Sequence, residues 1–508
     1  MNVRKLVSIA LIPTFLGACG MPQSLATAPA LAAPSMVVAE MPSRSPGEQY
    51  AVVPENPFHL AAQDALSTFS ADVDTASYSN IRRFLMGESR MPPAEAVRVE
   101  EMLNYFSYDY PAPTGNAPIG ATIEVSDCPW AKGHELVKVG LQARRIDDSQ
   151  LPPRNLVFLL DVSGSMFPPN RLPMVKKAMR MLVDQLTARD TVAIVTYAGA
   201  SGVALEPTPG DQKGAIVSAL SRLEAGGSTN GAEGIQRAYE LARAHFQQSG
   251  VNRVILSTDG DFNVGVTSQA ALVRLIEHER QSGVYLSVLG VGEGNLHDAT
   301  MEMLADKGNG NYAYLDSLAE ARRVLVSQAS GTLVTVAGDV KLQAEFDPAQ
   351  VKSYRLIGYE NRALENRDFA DDTKDAGDMG AGHSVTALYE IEPSTSEQGT
   401  SGKGPMTLRV RYKDPGSSES KLLTFASPAP RPLDKASGDF HFAAAVAGFG
   451  LMLRDSRWKG EVSYPLIESL AAGATTPDPG GYRAQFREMV AQADRLSSGK
   501  ARVAQIAR

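Results

Sequence analysis

Asp161-Val162-Ser163-Gly164-Ser165 is the stretch of this sequence where residue type and spacing first suggest chemistry. Two hydroxyls stand two residues apart behind a carboxylate. Gly164 permits the tight backbone that would turn both hydroxyls toward one small ion. Hard oxygen donors with little formal charge suit Mg2+ or Ca2+, and such sites keep coordination positions open for water or a ligand. Two further segments carry matching groups, Gly226-Gly227-Ser228-Thr229-Asn230 and Ser257-Thr258-Asp259-Gly260. Taken singly, Asp, Ser and Thr at such places are ordinary turn and capping residues.

These groups meet only if the elements carrying them are placed correctly. From residue 155 onward the sequence alternates strand-like and helix-like runs. Strands are expected at 155–160, 191–198, 253–257, 285–291 and 311–315, with a short antiparallel edge strand at 202–206. Helices are expected around 172–186, 212–223, 232–246, 268–282, 297–307 and 318–330. In the first of these, Val175, Ala178, Met179, Leu182, Val183 and Leu186 make one apolar stripe. Leu156-Val157-Phe158-Leu159-Leu160 is apolar on both faces, as a parallel sheet covered by helices requires. Ligands of such sheets bind at the carboxyl ends of the strands, and Asp161 stands at one of those ends.

With these residues in order, the segment 153–332 resembles the von Willebrand factor type A (VWA) domain and its metal-ion-dependent adhesion site. That site is an Asp-x-Ser-x-Ser turn, then a distant Thr, then a distant Asp. The resemblance implies a metal set of Asp161, Ser163, Ser165, Thr229 and Asp259. It implies that Ser163 and Ser165 coordinate directly, Thr229 directly or through water, and Asp161 and Asp259 through water or hydrogen bonds. An Asp or Glu carboxylate of a protein partner would then complete the shell of Mg2+, or of Ca2+ or Mn2+. The whole chain is similar to bacterial VWA-domain lipoproteins through Asp74-Thr75-Ala76-Ser77-Tyr78-Ser79-Asn80-Ile81-Arg82-Arg83-Phe84, Glu100-Glu101-Met102-Leu103-Asn104-Tyr105-Phe106, Lys374-Asp375-Ala376-Gly377 and Gly380-Ala381-Gly382-His383.

Outside 153–332 the pattern differs. Residues 75–110 read as helical, and 119–145 alternate like strands. Alternation returns over 333–427, with candidate strands at 340–346, 384–391 and 406–412. A polar loop at 361–383 holds Asp368, Asp371, Asp372, Asp375 and Asp378, whose spacing does not match an EF-hand loop, so a solvated loop is expected. His383, just after it, is expected to anchor the loop by hydrogen bonding. Strands on both sides of the α/β segment suggest one β-sandwich built from both flanks. The last segment is helical, and 440–453 is too short to span a bilayer. The fold class expected is α/β: a doubly wound, mostly parallel, Rossmann-like VWA sheet inserted between β-rich flanks, with helical N- and C-terminal segments. The expected divisions are 1–18, 19–56, 57–152, 153–332, 333–430 and 431–508.

The N-terminus carries Arg4 and Lys5, an apolar run over 6–16, and then Leu16-Gly17-Ala18-Cys19. This fits a cleaved export signal and resembles the bacterial lipobox, which implies lipidation at Cys19. Gly20 rather than Asp after the cysteine implies the outer membrane. Residues 19–56, rich in Pro, Ala and Ser, read as a tether. With Cys19 acylated, Cys128 has no partner for a disulfide. The formal net charge of −8 offers no basic field for nucleic acid. No Gly-x-Ser-x-Gly elbow stands near a plausible triad, and there is no His-Glu-x-x-His and no Gly-rich phosphate loop with Lys. The expectation is a non-enzymatic, metal-dependent adhesion or scaffolding lipoprotein of the bacterial cell envelope. The alternative is a structural envelope protein whose metal shell is completed from within its own chain.

Overall fold

Arg154–Asp161 is buried along all eight residues, so it must lie where both faces are covered. It is one of the two middle strands of a six-stranded sheet. The order across that sheet is Tyr312–Leu315, Tyr285–Val291, Val251–Thr258, Arg154–Asp161, Thr191–Tyr197 and Ser201–Pro209. The first five are parallel, and Ser201–Pro209 is the antiparallel edge. The computed structural model describes residues 47–198, 201–227, 231–260, 269–329, 331, 334–394, 404–474 and 476–506. Helix Leu172–Val183 and helix Lys213–Arg222 cover one face, and Gly231–Ala244, Gln269–Arg280 and Asp298–Lys307 cover the other. The chain reverses its direction of travel across the sheet between Arg154–Asp161 and Val251–Thr258. A crevice opens at the carboxyl ends of strands at such a switch point, and these two strands lead into Asp161 and Asp259.

Residues from both flanks share two antiparallel sheets. One has the order His59–Leu60, Val351–Ile357, Ser384–Pro393, Glu135–Ala143, Ile119–Asp127. The other runs Ala363–Leu364, Leu66–Ser70, Thr335–Phe346, Met406–Lys413, Ser420–Ala426. Val137, Val139 and Leu141 from before the α/β segment and Leu342, Phe346, Tyr354 and Tyr389 from after it belong to one apolar core. The regions 57–152 and 333–430, divided in sequence, are therefore joined by strand pairing.

The N-terminal helices are shorter than the sequence pattern suggested. Ala76–Arg82 runs into a π-turn at Arg83–Gly87, and a second helix covers Val99–Asn104. They pack with the C-terminal helices Gly438–Leu453, Tyr464–Ala472 and Tyr482–Ile506 around an aromatic cluster. Within it Tyr78 stacks on Tyr105 at 3.9 Å, and Phe106 meets Phe442 edge-on at 4.8 Å. Ser437 caps Gly438–Leu453 by accepting from the Phe440 N–H. That helix is buried on nearly every side. Among the described residues no helix is long and apolar enough to cross a membrane.

The N-terminal helix is fastened to the α/β domain by charge. Arg82 donates to both oxygens of Asp316 at 2.6 Å, to Glu320 at 2.8 Å and to the Tyr105 hydroxyl at 2.6 Å. Glu320 also pairs with Arg323 at 2.6 Å. Asp74 accepts from the Tyr312 N–H at 2.7 Å and pairs with Arg362. The acidic loop is less solvated than expected. Asp375 pairs with Arg280 of the α/β domain, and Asp378 accepts from the Asp339 N–H while burial raises its carboxyl to about 6. Asp371 and Asp372, by contrast, lie at the surface and hold local turns and ion pairs. The His383 ring is shifted down to about 4 by burial, and its carbonyl accepts from the Ala143 N–H.

Candidate functional site

Asp161 is fully buried at the end of its strand. Its Oδ1 accepts from the Ser163 N–H at 2.9 Å, which closes the turn that carries both hydroxyls. Its Oδ2 accepts from the Tyr197 hydroxyl at 3.3 Å and the Thr258 hydroxyl at 3.2 Å. Strands on either side thus hold one carboxylate in place. Burial pushes this carboxyl up to about 6; the Ser163 hydrogen bonds oppose the rise, and the nearby Asp259 charge adds to it.

The hydroxyl oxygens of Ser163 and Ser165 lie 3.0 Å apart. The next loop is pinned to this turn twice, by Gly164 N–H to the Gly227 carbonyl at 3.1 Å and Gly226 N–H to the Val162 carbonyl at 2.7 Å. Gly227 adopts φ +88°, open to glycine at no steric cost. Thr229, two residues further on, lies outside the described residues, as does Cys19.

Asp259 is also fully buried. Its Oδ2 accepts from Arg171 at 2.5 Å and from the Asn295 amide at 3.2 Å. Arg171 bridges the groups, since the same nitrogen donates to the Ser165 carbonyl at 2.7 Å. Its other nitrogen donates to the Glu293 carbonyl and Asn295 Oδ1, each at 2.8 Å. Asp161, Ser163, Ser165 and Asp259 are therefore gathered into one hydrogen-bonded cluster. Sequence reading missed Arg171, Asn295, Thr258 and Tyr197. Thr258 was within reach, because it directly precedes Asp259 at the strand end; the other three are joined only through the tertiary fold.

Gly260 presses the Asn295 loop onto the cluster. Its φ is +95°, and a Cβ there would lie 2.7 Å from the His297 nitrogen. Gly260→Ala is expected to cost about 1–3 kcal/mol in denaturant unfolding, through strain and displacement of that loop. Unchanged stability would show that the loop yields freely.

The segment expected as the end of the tether is docked here instead. Gln49 exchanges backbone hydrogen bonds with Leu296 and Asp298 at 2.9 and 3.2 Å. Glu48 accepts from the Gly294 N–H at 2.9 Å and pairs with Arg83 at 2.7 Å, and these contacts hold its carboxyl below the usual range.

The donor set fits a hard divalent cation. Two adjacent hydroxyls would ligate, while buried Asp161, and Asp259 whose charge Arg171 partly balances, would act through water or hydrogen bonds. Among the described residues no group of three or more His, Cys, Asp or Glu side chains is placed to hold a metal ion.

Three family models match the chain. The von Willebrand factor type A domain covers 155–327, a model described as von Willebrand factor covers 44–138, and the C-terminal model of the uncharacterized protein YfbK covers 331–496. The chain is 41% identical over 468 residues to the uncharacterized protein YfbK of Escherichia coli (strain K12), covering 88% of this chain and 81% of that one. It is 24% identical over 294 residues to the uncharacterized protein sll0103 of Synechocystis, covering 57% and 68%. Among solved structures, a von Willebrand factor type A protein from Catenulispora acidiphila aligns with a TM-score of 0.42 at 19% identity, covering 68% of this chain and 81% of that one. On the extent and identity of the match to YfbK, the protein belongs to the bacterial family of VWA-domain proteins that includes YfbK.

Proposed function

We propose that this protein binds a divalent cation, Mg2+ in the first instance, at Asp161, Ser163, Ser165, Thr229 and Asp259. Through that ion it recognises an acidic side chain of a protein partner. VWA domains serve protein interaction, and the proposal adds the metal and the carboxylate. One observation supports it above the others. Two hydroxyls 3.0 Å apart and two fully buried carboxylates converge at the switch point of the sheet. A cation held mainly by neutral oxygens keeps positive charge unspent, and a partner carboxylate can complete its shell. The role is adhesion or scaffolding, without catalysis.

Affinity capture from envelope extract, run with Mg2+ and with EDTA, tests this reading. A partner retained only with Mg2+ and lost in Asp259→Ala is the expected result. A large Mg2+-dependent rise in melting temperature with no partner captured would favour a metal shell completed by the chain itself.

The Leu16-Gly17-Ala18-Cys19 sequence supports a lipid anchor, with the outer membrane as its location. Cys19→Ser is expected to abolish labelling by a fatty-acid analogue and to move the protein from the membrane fraction to the soluble fraction. Retention of the label would refute anchoring at this cysteine. The other cysteine, Cys128, is a buried free thiol raised to about 12 by burial, and it is unsuited to modification.

A further inference from the structure

Phe167 is 78% exposed, two residues past the Ser165 hydroxyl. One exposed ring is ordinary by itself, but an aromatic ring that borders an apolar groove makes a contact surface with it. The ring lines a groove of about 670 Å³ between helices Leu172–Val183 and Lys213–Arg222. Leu172, Val217, Leu220 and Leu223 give the groove an apolar lining. Lys177 and Arg180, both exposed and one helical turn apart, form a basic rim. Lys176 donates to the Ser221 and Leu223 carbonyls at 2.8 and 2.9 Å, tying the two walls together.

Two chain segments lead from the groove to the hydroxyl turn. Met166 and Phe167 follow the hydroxyl turn, while Leu223 and Ala225 lead into Gly226 and Gly227, which are hydrogen-bonded to that turn. Its charge runs against the chain as a whole. Glu224 is the single acid beside three basic lining residues, in a protein of net charge −8.

We propose that this groove receives an acidic polypeptide segment of the partner, with a large apolar residue packed against Phe167 and Val217 and carboxylates facing Lys177 and Arg180. The proposal rests on the metal-dependent reading for the carboxylate that reaches the cation; the groove contacts stand on their own residues. An acidic peptide fits better than a neutral one, because the rim charges and the cation have the same sign.

The test is fluorescence anisotropy with labelled dodecapeptides on the protein lacking residues 1–18. The probes are alternating Glu–Leu, alternating Glu–Ser and alternating Lys–Leu, each with Mg2+ or EDTA. The expected result is binding of Glu–Leu that weakens about tenfold in Phe167→Ala and further in the double variant Lys177→Glu/Arg180→Glu, with weaker Glu–Ser and no Lys–Leu binding. Thermal unfolding of each variant checks that it folds. Glu–Leu binding that needs Mg2+ and Ser163 yet ignores both groove variants would overturn the groove and leave the metal reading standing. Binding that ignores EDTA and Ser163→Ala but is lost in the groove variants would keep the groove and remove the metal reading. Equal binding of Lys–Leu would overturn the proposal. So would a dimer in sedimentation that the double variant converts to monomer, which would give the groove to a second copy of the chain.

Discussion

Arg82→Ala is expected to lower stability by about 3–5 kcal/mol, the range for removing one partner of a buried ion pair and leaving the other charge uncompensated. Arg82 is nearly buried and satisfies Asp316, Glu320, the Tyr105 hydroxyl and Gln485 together. These four come from the end of the outer parallel strand, the last helix of the α/β domain, and the N- and C-terminal helical segments. The loss would therefore fall on the joint between domains. Near-parity with wild type in urea unfolding would mean that the joint carries little energy. The same cluster predicts a pH dependence. Arg323 and Arg82 hold the fully buried Glu320 at about 2, against an ordinary 4.5, although burial alone would raise it. A depressed carboxylate contributes stability that is complete above its unfolded value and lost as pH falls through the folded value. Stability on the order of 3 kcal/mol should thus disappear between about pH 4.5 and pH 2. Glu320→Gln should flatten that part of the profile.

The second large effect is expected in Ser163→Ala combined with Ser165→Ala. The two hydroxyls hydrogen-bond each other at 3.0 Å, and the turn is held by the Ser163 backbone N–H to Asp161, which alanine retains. Unfolding free energy in EDTA should therefore stay within about 1 kcal/mol of wild type, the usual worth of one hydrogen bond. Metal affinity should fall at least about a hundredfold, because the direct ligands are gone. The readout is the rise in melting temperature on adding Mg2+, present in wild type and absent in the double variant. A rise of equal size in both would remove these serines from the metal shell.

The continuous apolar run before Asp161 revealed a strand covered on both faces, and alternation with amphipathic helices revealed a doubly wound, mostly parallel sheet, whose strand order only the structure supplies. Sequence also brought Asp161, Ser163, Ser165 and Asp259 forward, since each follows or ends a strand. Reading broke down where long-range pairing overrides local pattern. The edge strand Ser201–Pro209 continues past Pro207, where proline suggests an end, because an edge needs no donor on its outer side. Val351–Ile357 contains Lys352 and Arg355, and only the structure reveals that Arg355 is buried against Glu390 at 2.8 Å. Glu100 and Glu101 stand out in the sequence only as part of the segment 100–106 shared with VWA-domain lipoproteins, and nothing local tells which way they face. The structure buries both, with Glu101 accepting from the Ser77 N–H and pairing with Arg98. Arg171 is the clearest omission at the site: it lies in a loop without periodicity, and its role depends on Asp259, 88 residues later.

Electron paramagnetic resonance of Mn2+ titrated into the lipid-free protein tests most directly whether the strand-end hydroxyls and carboxylates hold a cation. One Mn2+ per chain is expected, displaced by Mg2+ and lost in Ser163→Ala. Absence of any bound Mn2+, or a site that survives Ser163→Ala unchanged, would contradict this.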